Sequence, residues 1–229
     1  MQGEPTARGE DALRKSSSVL VLGASGPLGR AVVERARAGG HAVTAFVRDP
    51  ERYEGGPEGV AVVQGDVLVA ESLARSVPGH DGVIWAVGGP NTKEGRAALP
   101  DTCERGTRHL IQVMDGAGVR RLVAVSVWGV GDSRKRAPLP IRLIVFDRVI
   151  RDEIADKTRQ EELLRASDLD WTVVRPPRLT DGPATGQFRH AEELRFSARS
   201  QLSRSDLAGF MLDELERGAY VRKTVEISA

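Results

Sequence analysis

The residues with the clearest chemical meaning are Gly23-Ala24-Ser25-Gly26-Pro27-Leu28-Gly29. They follow a short apolar run, Val19 to Leu22, and open a stretch with helical spacing at Leu28, Val32 and Ala36. A strand, a glycine loop and a helix in that order are what a dinucleotide pyrophosphate requires. Gly23 permits the tight turn, Gly26 lets the backbone approach the phosphates, and Gly29 lets the helix pack closely on the sheet. The helix start offers unpaired N–H groups and the positive end of its dipole. Pro27 suits the first helical turn, where its missing N–H costs nothing. The spacing is G-x-x-G-x-x-G rather than G-x-G-x-x-G. An ordinary glycine-rich turn is the alternative, and the flanking strand and helix favour the dinucleotide.

The residue after the second strand selects the nucleotide. An acid about 20 residues beyond the loop would bind ribose hydroxyls. Here the position is Arg48, nineteen after Gly29, with Arg52 four further on. Two guanidinium groups match a 2′-phosphate, which Arg grips bidentately. The expected cofactor is therefore NADP(H) rather than NAD(H). Asp49 is the dissenting acid, and a solvated loop charge is the alternative for Arg52.

These residues must be positioned by elements that alternate along the chain. Short apolar runs at Val19 to Leu22, Ala42 to Val47, Val60 to Val63, Val83 to Val87, Leu122 to Val127, Val173-Val174 and Lys223 to Ile227 read as strands. Helical stretches fall at Leu28 to Ala38, Val69 to Val77, Thr102 to Ala117, a long segment ending at Leu164, and Asp206 to Glu216. Buried strands alternating with helices predict an α/β fold, a doubly wound, mostly parallel sheet of the Rossmann type. The 229 residues suit one domain or one domain with a small appendage: a flexible extension over 1–17, then 18–229, with the substrate region formed largely by 130–200. Lys plus Arg is 33 and Asp plus Glu is 32, a net charge of +1, which argues against general nucleic-acid affinity. No apolar run approaches a membrane span. The single cysteine, Cys103, excludes an intrachain disulfide framework and suits a reducing, cytoplasmic location. The four histidines form no metal motif, so no metal is expected; His41, His80 and His109 read as structural or solvated. His190 follows the sixth strand in a loop that could cover a substrate. The basic stretch Ser133 to Pro140 reads as a solvated loop, with a phosphate contact as the alternative. Arg outnumbers Lys 28 to 5, which hints at a GC-rich bacterial source.

From Val19 to Ile227 the chain resembles the atypical short-chain dehydrogenase/reductase superfamily. Within it, it is similar to the NADPH-dependent flavin reductase/biliverdin reductase B group, with NmrA-like proteins as cousins. The resemblance rests on Gly23–Gly29, Val47-Arg48-Asp49, Gly65-Asp66-Val67, Gly118-Val119 with Arg121-Leu122-Val123, Leu163 to Pro177 (LLRASDLDWTVVRPP), and Leu202 to Ala208 (LSRSDLA). It implies that Asp66 meets the adenine amino group and Val67 packs on the ring. It implies that Ala86, Val87 and Gly88, with Gly89, end the fourth strand against the cofactor ribose. It places Pro176, within Arg175-Pro176-Pro177-Arg178, beside the nicotinamide and substrate.

The superfamily's usual chemistry needs a Tyr four residues before a Lys on one helix face, the Tyr donating a proton and the Lys lowering its pKa. The superfamily lysine corresponds to Lys157, but Glu153 stands four residues earlier, and Tyr53 and Tyr220 lie elsewhere. The flavin/biliverdin reductase group also lacks the tyrosine. Hydride addition to an extended conjugated system spreads the charge, so water can supply the proton and positioning supplies much of the acceleration. A planar conjugated acceptor, such as a flavin, bilin or quinone, is therefore expected. Ser126 ends the fifth strand as either a contact or a spacer. Arg178 and Lys157 fall where the nearer group has histidines, and two cations there would suit an anionic substrate. Catalytic candidates are thus Ser126, Lys157 and Arg178, in a monomer or homodimer of bacterial secondary metabolism. An NmrA-like regulator without turnover and a non-redox epimerase or cyclase remain alternatives.

Overall fold

In the computed structural model, residues 16–53, 58–88 and 101–229 are described. The apolar runs become an eight-stranded sheet in the order β3-β2-β1-β4-β5-β6-β10-β8. Its strands are β1 (Ser18–Leu22), β2 (Ala42–Val47), β3 (Ala61–Gln64), β4 (Gly82–Trp85), β5 (Arg121–Val125), β6 (Asp170–Arg175), β8 (Arg189–Ala191) and β10 (Lys223–Ser228). All neighbours pair in parallel except β8, which runs antiparallel along β10. Two short strands, β7 (Arg178–Thr180) and β9 (Gln201–Ser203), form a separate parallel pair. The chain reverses its winding direction between β1 and β4, the switch point at which such sheets bind ligands.

Helices cover both faces. On one side α1 (Pro27–Ala38) and α6 (Arg204–Arg217) enclose a core that includes Val19, Val21, Val32, Val123, Leu207 and Met211. On the other side α2 (Ala70–Ser76), α3 (Thr102–Ala117) and α5 (Arg151–Arg165) enclose Leu20, Trp85, Leu110, Met114 and Leu164. Along the inner strands successive side chains feed the two cores in turn, which is why those runs are continuously apolar. A third, smaller cluster sets Trp128 edge-on to Phe146 and Phe196, each at 5.2 Å between centroids. Through Ala137, just past the short helix α4 (Ser133–Arg136), and Phe146 it packs a π-helical segment, Ile141–Val149, against the loop after β5.

Three expectations shift. The fourth strand ends at Trp85 rather than Val87: Ala86 N still donates to Leu22 O at 2.9 Å, but the Val87 carbonyl is taken by a buried lysine described below. The extension expected over 1–17 is shorter at its inner end: Ser16 Oγ donates to Gly40 O at 2.9 Å and Ser17 O accepts from Ala42 N at 3.0 Å. The rest of that extension, and Gly89, lie outside the described residues. The strands β7, β8 and β9 and the π-helical segment carry no periodicity of their own and exist through tertiary partners.

Gly29 shows how closely α1 approaches the loop. A Cβ there would lie 2.1 Å from Gly23 O and 2.7 Å from Ala24 Cα, both backbone atoms that cannot step aside. Gly29→Ala is therefore expected to cost about 3 kcal/mol of stability, from overpacking, read as a lower denaturant midpoint in chemical unfolding.

Candidate active site

A cavity of about 500 Å³ runs along the carboxyl edge of the sheet. Its floor is the glycine loop, with Gly23, Ser25, Gly26, Pro27 and Leu28 on the wall. Gly23 has φ +81°, and a Cβ there would come within 2.9 Å of Val87 N, so only glycine lets the first loop strand pass beneath the end of β4. Gly26 caps α1 without any side-chain hydrogen bond, and no acid occupies the first turn. The first helical bond is Arg30 N to Gly26 O, 2.9 Å, so the N–H groups of Leu28 and Gly29 precede the intrahelical ladder. That is the cradle a pyrophosphate fits.

At the β2–β3 end, Arg48, Asp66 and Val67 join the wall. Asp66 is set by its own turn: Oδ1 accepts from Leu68 N at 2.9 Å, and Ser72 Oγ donates to Asp66 O at 2.7 Å. Arg48 is exposed along the cavity and forms no ion pair among the described residues. Asp49 turns instead to Arg52, 3.2 Å away, in an exposed pair. The structure therefore brings Arg48 to the cavity and leaves Arg52 outside it, because one helical turn of spacing aims Arg52 back at Asp49.

At the opposite end lie Ala86, Val87, Gly88, Val125, Ser126, Glu153, Lys157, Leu179 and Arg204. Lys157 is almost fully buried. Its Nζ donates to Val87 O at 2.9 Å, Val125 O at 2.8 Å and Gln160 Oε1 at 3.0 Å. A buried ammonium is tolerable only when its protons are satisfied, and these three acceptors take all of them. Ser126 Oγ donates to Glu161 Oε1 at 2.6 Å. Glu161 is itself gripped by Arg175, with Nε at 2.9 Å and Nη2 at 2.6 Å. Arg175 Nη1 then reaches Asp132 at 2.7 Å. Asp156, next to Lys157, accepts from Cys103 N at 2.9 Å and Glu104 N at 2.8 Å, closing the start of α3. Burial pushes the Cys103 thiol up to about 11, against the opposing charge of Lys157.

Arg178 does not reach the cavity. It lies exposed on β7, and its Nη2 donates to Gln201 Oε1 at 2.7 Å on β9. The cationic pair expected for an acidic substrate therefore does not form: the protons of Lys157 are taken by Val87, Val125 and Gln160, and Arg178 faces outward. Pro176 accepts from Trp128 N at 3.0 Å through its carbonyl and is not on the wall. His190 packs on Phe210 and bonds Tyr220 Oη at 2.9 Å, away from the cavity. Residues missed by the sequence reading are Leu179 and Arg204 on the wall and the Glu161–Arg175–Asp132 chain behind it. Arg175, in the Arg-Pro-Pro run, and Arg204, in the Leu202 to Ala208 motif, carried a sequence signal; Leu179, Glu161 and Asp132 carried none.

The fold and cradle define a dinucleotide-binding protein of the Rossmann type. A family profile described as NAD(P)H-binding matches residues 23–217, and the chain belongs to that family. It is 31% identical over 182 residues to the 3-diazoavenalumate denitrifying reductase of a Streptomyces species, a match covering 75% of this chain and 59% of that protein's length. Solved structures share the fold. The anaerobillin reductase of Escherichia coli O157:H7 aligns with TM-score 0.76 at 24% identity, over 92% of this chain and 96% of its own. A short-chain dehydrogenase/reductase of Veillonella parvula DSM 2008 in complex with NADP aligns with TM-score 0.75 at 18% identity, over 94% and 95%. Among the described residues no helix is long and apolar enough to cross a membrane.

The ion chain behind the cavity has a pH signature. Burial alone would raise the pKa of Asp132, but hydrogen bonds and charge from Arg136 and Arg175 outweigh it and hold the carboxyl at about 2. A depressed carboxyl stabilises the fold fully above its unfolded pKa of about 4, and loses that contribution as pH falls towards the folded value. Asp132→Asn should be less stable than the parent at pH 7, and the gap should close as pH falls to 2. Denaturant midpoints across that range measure it.

Proposed function

We propose that the chain is an NADPH-dependent reductase that delivers hydride to a planar conjugated acceptor, without a Tyr–Lys proton-donor pair. The observation that carries this reading is the state of Lys157. Its three N–H groups are held by two strand-end carbonyls and Gln160, and Glu153 occupies the place one helical turn earlier. Lysine and serine thus shape the end of the cavity, and neither offers a proton to a substrate oxygen. Acceptors whose reduced form spreads charge over a ring need no such donor.

When bound, the nicotinamide cofactor supplies the hydride. The chain's own residues account for its placement: the first turn of α1 holds the pyrophosphate, Asp66 accepts from the adenine amine, and Arg48 pairs with the 2′-phosphate. The turn of Asp49 towards Arg52 supports NADP(H), since no carboxylate then competes for the ribose beside Arg48. The reductase name of the Streptomyces relative supports the reaction class. The pairing of Ser126 with Glu161 supports a positioning role for that serine.

NADPH consumption with FMN and with menadione tests the activity. Turnover with either is expected; tight NADP binding with no consumption across such acceptors would instead indicate a dinucleotide-binding regulator. Removing the guanidinium tests the cofactor. Arg48→Ala should lower the preference for NADPH over NADH by about 10–100-fold, the worth of a charge-assisted hydrogen-bonded pair. Paired kcat/KM values would show it, and an unchanged ratio would contradict the assignment.

A further inference from the structure

The wall near Lys157 holds a side chain that the reading above leaves without a task. Glu153 lies in the first turn of α5, half-buried, and lines the cavity beside Ser126 and Lys157. Among the described residues it forms no hydrogen bond or ion pair. Its charged surroundings are already engaged. The Lys157 ammonium is held by Val87, Val125 and Gln160. Arg204, across the cavity, is paired with Asp181. Asp156 is held by the start of α3, and Glu161 by Arg175 and Arg165. Arg48 belongs to the far end of the cavity, beyond the glycine loop.

We infer that Glu153 is a specificity-determining residue that selects acceptors carrying a cationic, N–H-bearing edge over anionic ones. The inference rests on the reductase reading and narrows its substrate class. A carboxylate at the wall of a partly water-excluded cavity attracts a cation and repels an anion more strongly than in bulk water. A cationic acceptor also fits the lack of a free proton donor. When a cationic ring gains hydride, its π-system takes the electron pair and the product is neutral. The positive charge reappears on the oxidised cofactor, so the balance closes with no proton taken from any side chain. An anionic acceptor that gains hydride becomes a dianion beside the Glu153 carboxylate until water protonates it, a like-charge arrangement that a cationic acceptor avoids.

Two planar three-ring dyes separate the possibilities: thionine, a cation with amino N–H groups, and resorufin, an anion. Their binding to the full chain, with and without 1,4,5,6-tetrahydro-NADP, is read from absorbance shifts, and their NADPH-dependent reduction is followed separately. The parent chain should bind thionine more tightly than resorufin. Glu153→Gln should lose about tenfold in thionine affinity, the scale of one charged hydrogen bond, while Glu153→Asp keeps most of it and the tetrahydro-NADP affinity stays unchanged in both. Equal dye affinities in the parent and Glu153→Gln would overturn the inference, as would a parent preference for resorufin. A fall in thermal stability alone would also overturn it, by assigning Glu153 to the helix dipole. Equal reduction rates and affinities in both proteins would sink the inference and leave the reductase reading intact. A Glu153-dependent thionine preference with no NADPH consumption would sink the reductase reading and leave the selection intact.

Discussion

A single ammonium group, the Nζ of Lys157, fixes how the carboxyl edge of the sheet is built. A charge removed from water must be fully satisfied or it destabilises the fold by several kcal/mol. Here it is satisfied by Val87 O, Val125 O and Gln160 Oε1. One carbonyl lies two residues past β4 and the other ends the adjacent β5, so the lysine ties the two together just where the cavity opens. Trp85 Nε1 also donates to Val87 O, at 3.1 Å, which holds the turn after β4 in the same place. The tight turn at Gly23 passes beneath that same segment. Glycine loop, strand ends and lysine are therefore one packed unit.

The helix carrying Lys157 extends the same logic. Glu153, Asp156, Lys157, Gln160 and Glu161 fall at spacings of three and four, one face of α5. In most helices the buried face is apolar; here Ile154 and Leu164 flank a buried polar stripe, and each member of it beyond Glu153 is matched. Asp156 closes the start of α3, Gln160 Nε2 donates to Thr107 Oγ1 at 2.8 Å, and Glu161 collects Ser126, Arg165 and Arg175. A fully connected buried network rigidifies its surroundings, and a partly connected one would be costly. The stripe thus holds α3, β4, β5 and β6 around the end of the cavity where an acceptor would sit.

This division explains what could be read from the sequence. The glycine loop and Arg48 belong to local strand–loop–helix signals, so their arrangement at the carboxyl edge was legible in the sequence, whereas Asp66 was legible only through the family resemblance. The alternation of strands and helices gave the parallel sheet for the same reason. The polar stripe was not legible, because a sequence shows charged residues in a helix without showing that they face inward. Arg178 misled in the opposite way. Its position after Pro176-Pro177 suggested the site, yet the short β7–β9 pairing, visible only in three dimensions, turns it outward to Gln201. Arg52 misled because its partner, Asp49, lies within its own loop.

We propose that one nicotinamide dinucleotide, with a 2′-phosphate, binds between the first turn of α1 and the segments held by Lys157. Calorimetric titration of the full chain with NADPH and with NADH tests it most directly. One NADPH should bind per chain, and more tightly than NADH. Absence of heat and of competition for both nucleotides would contradict the account.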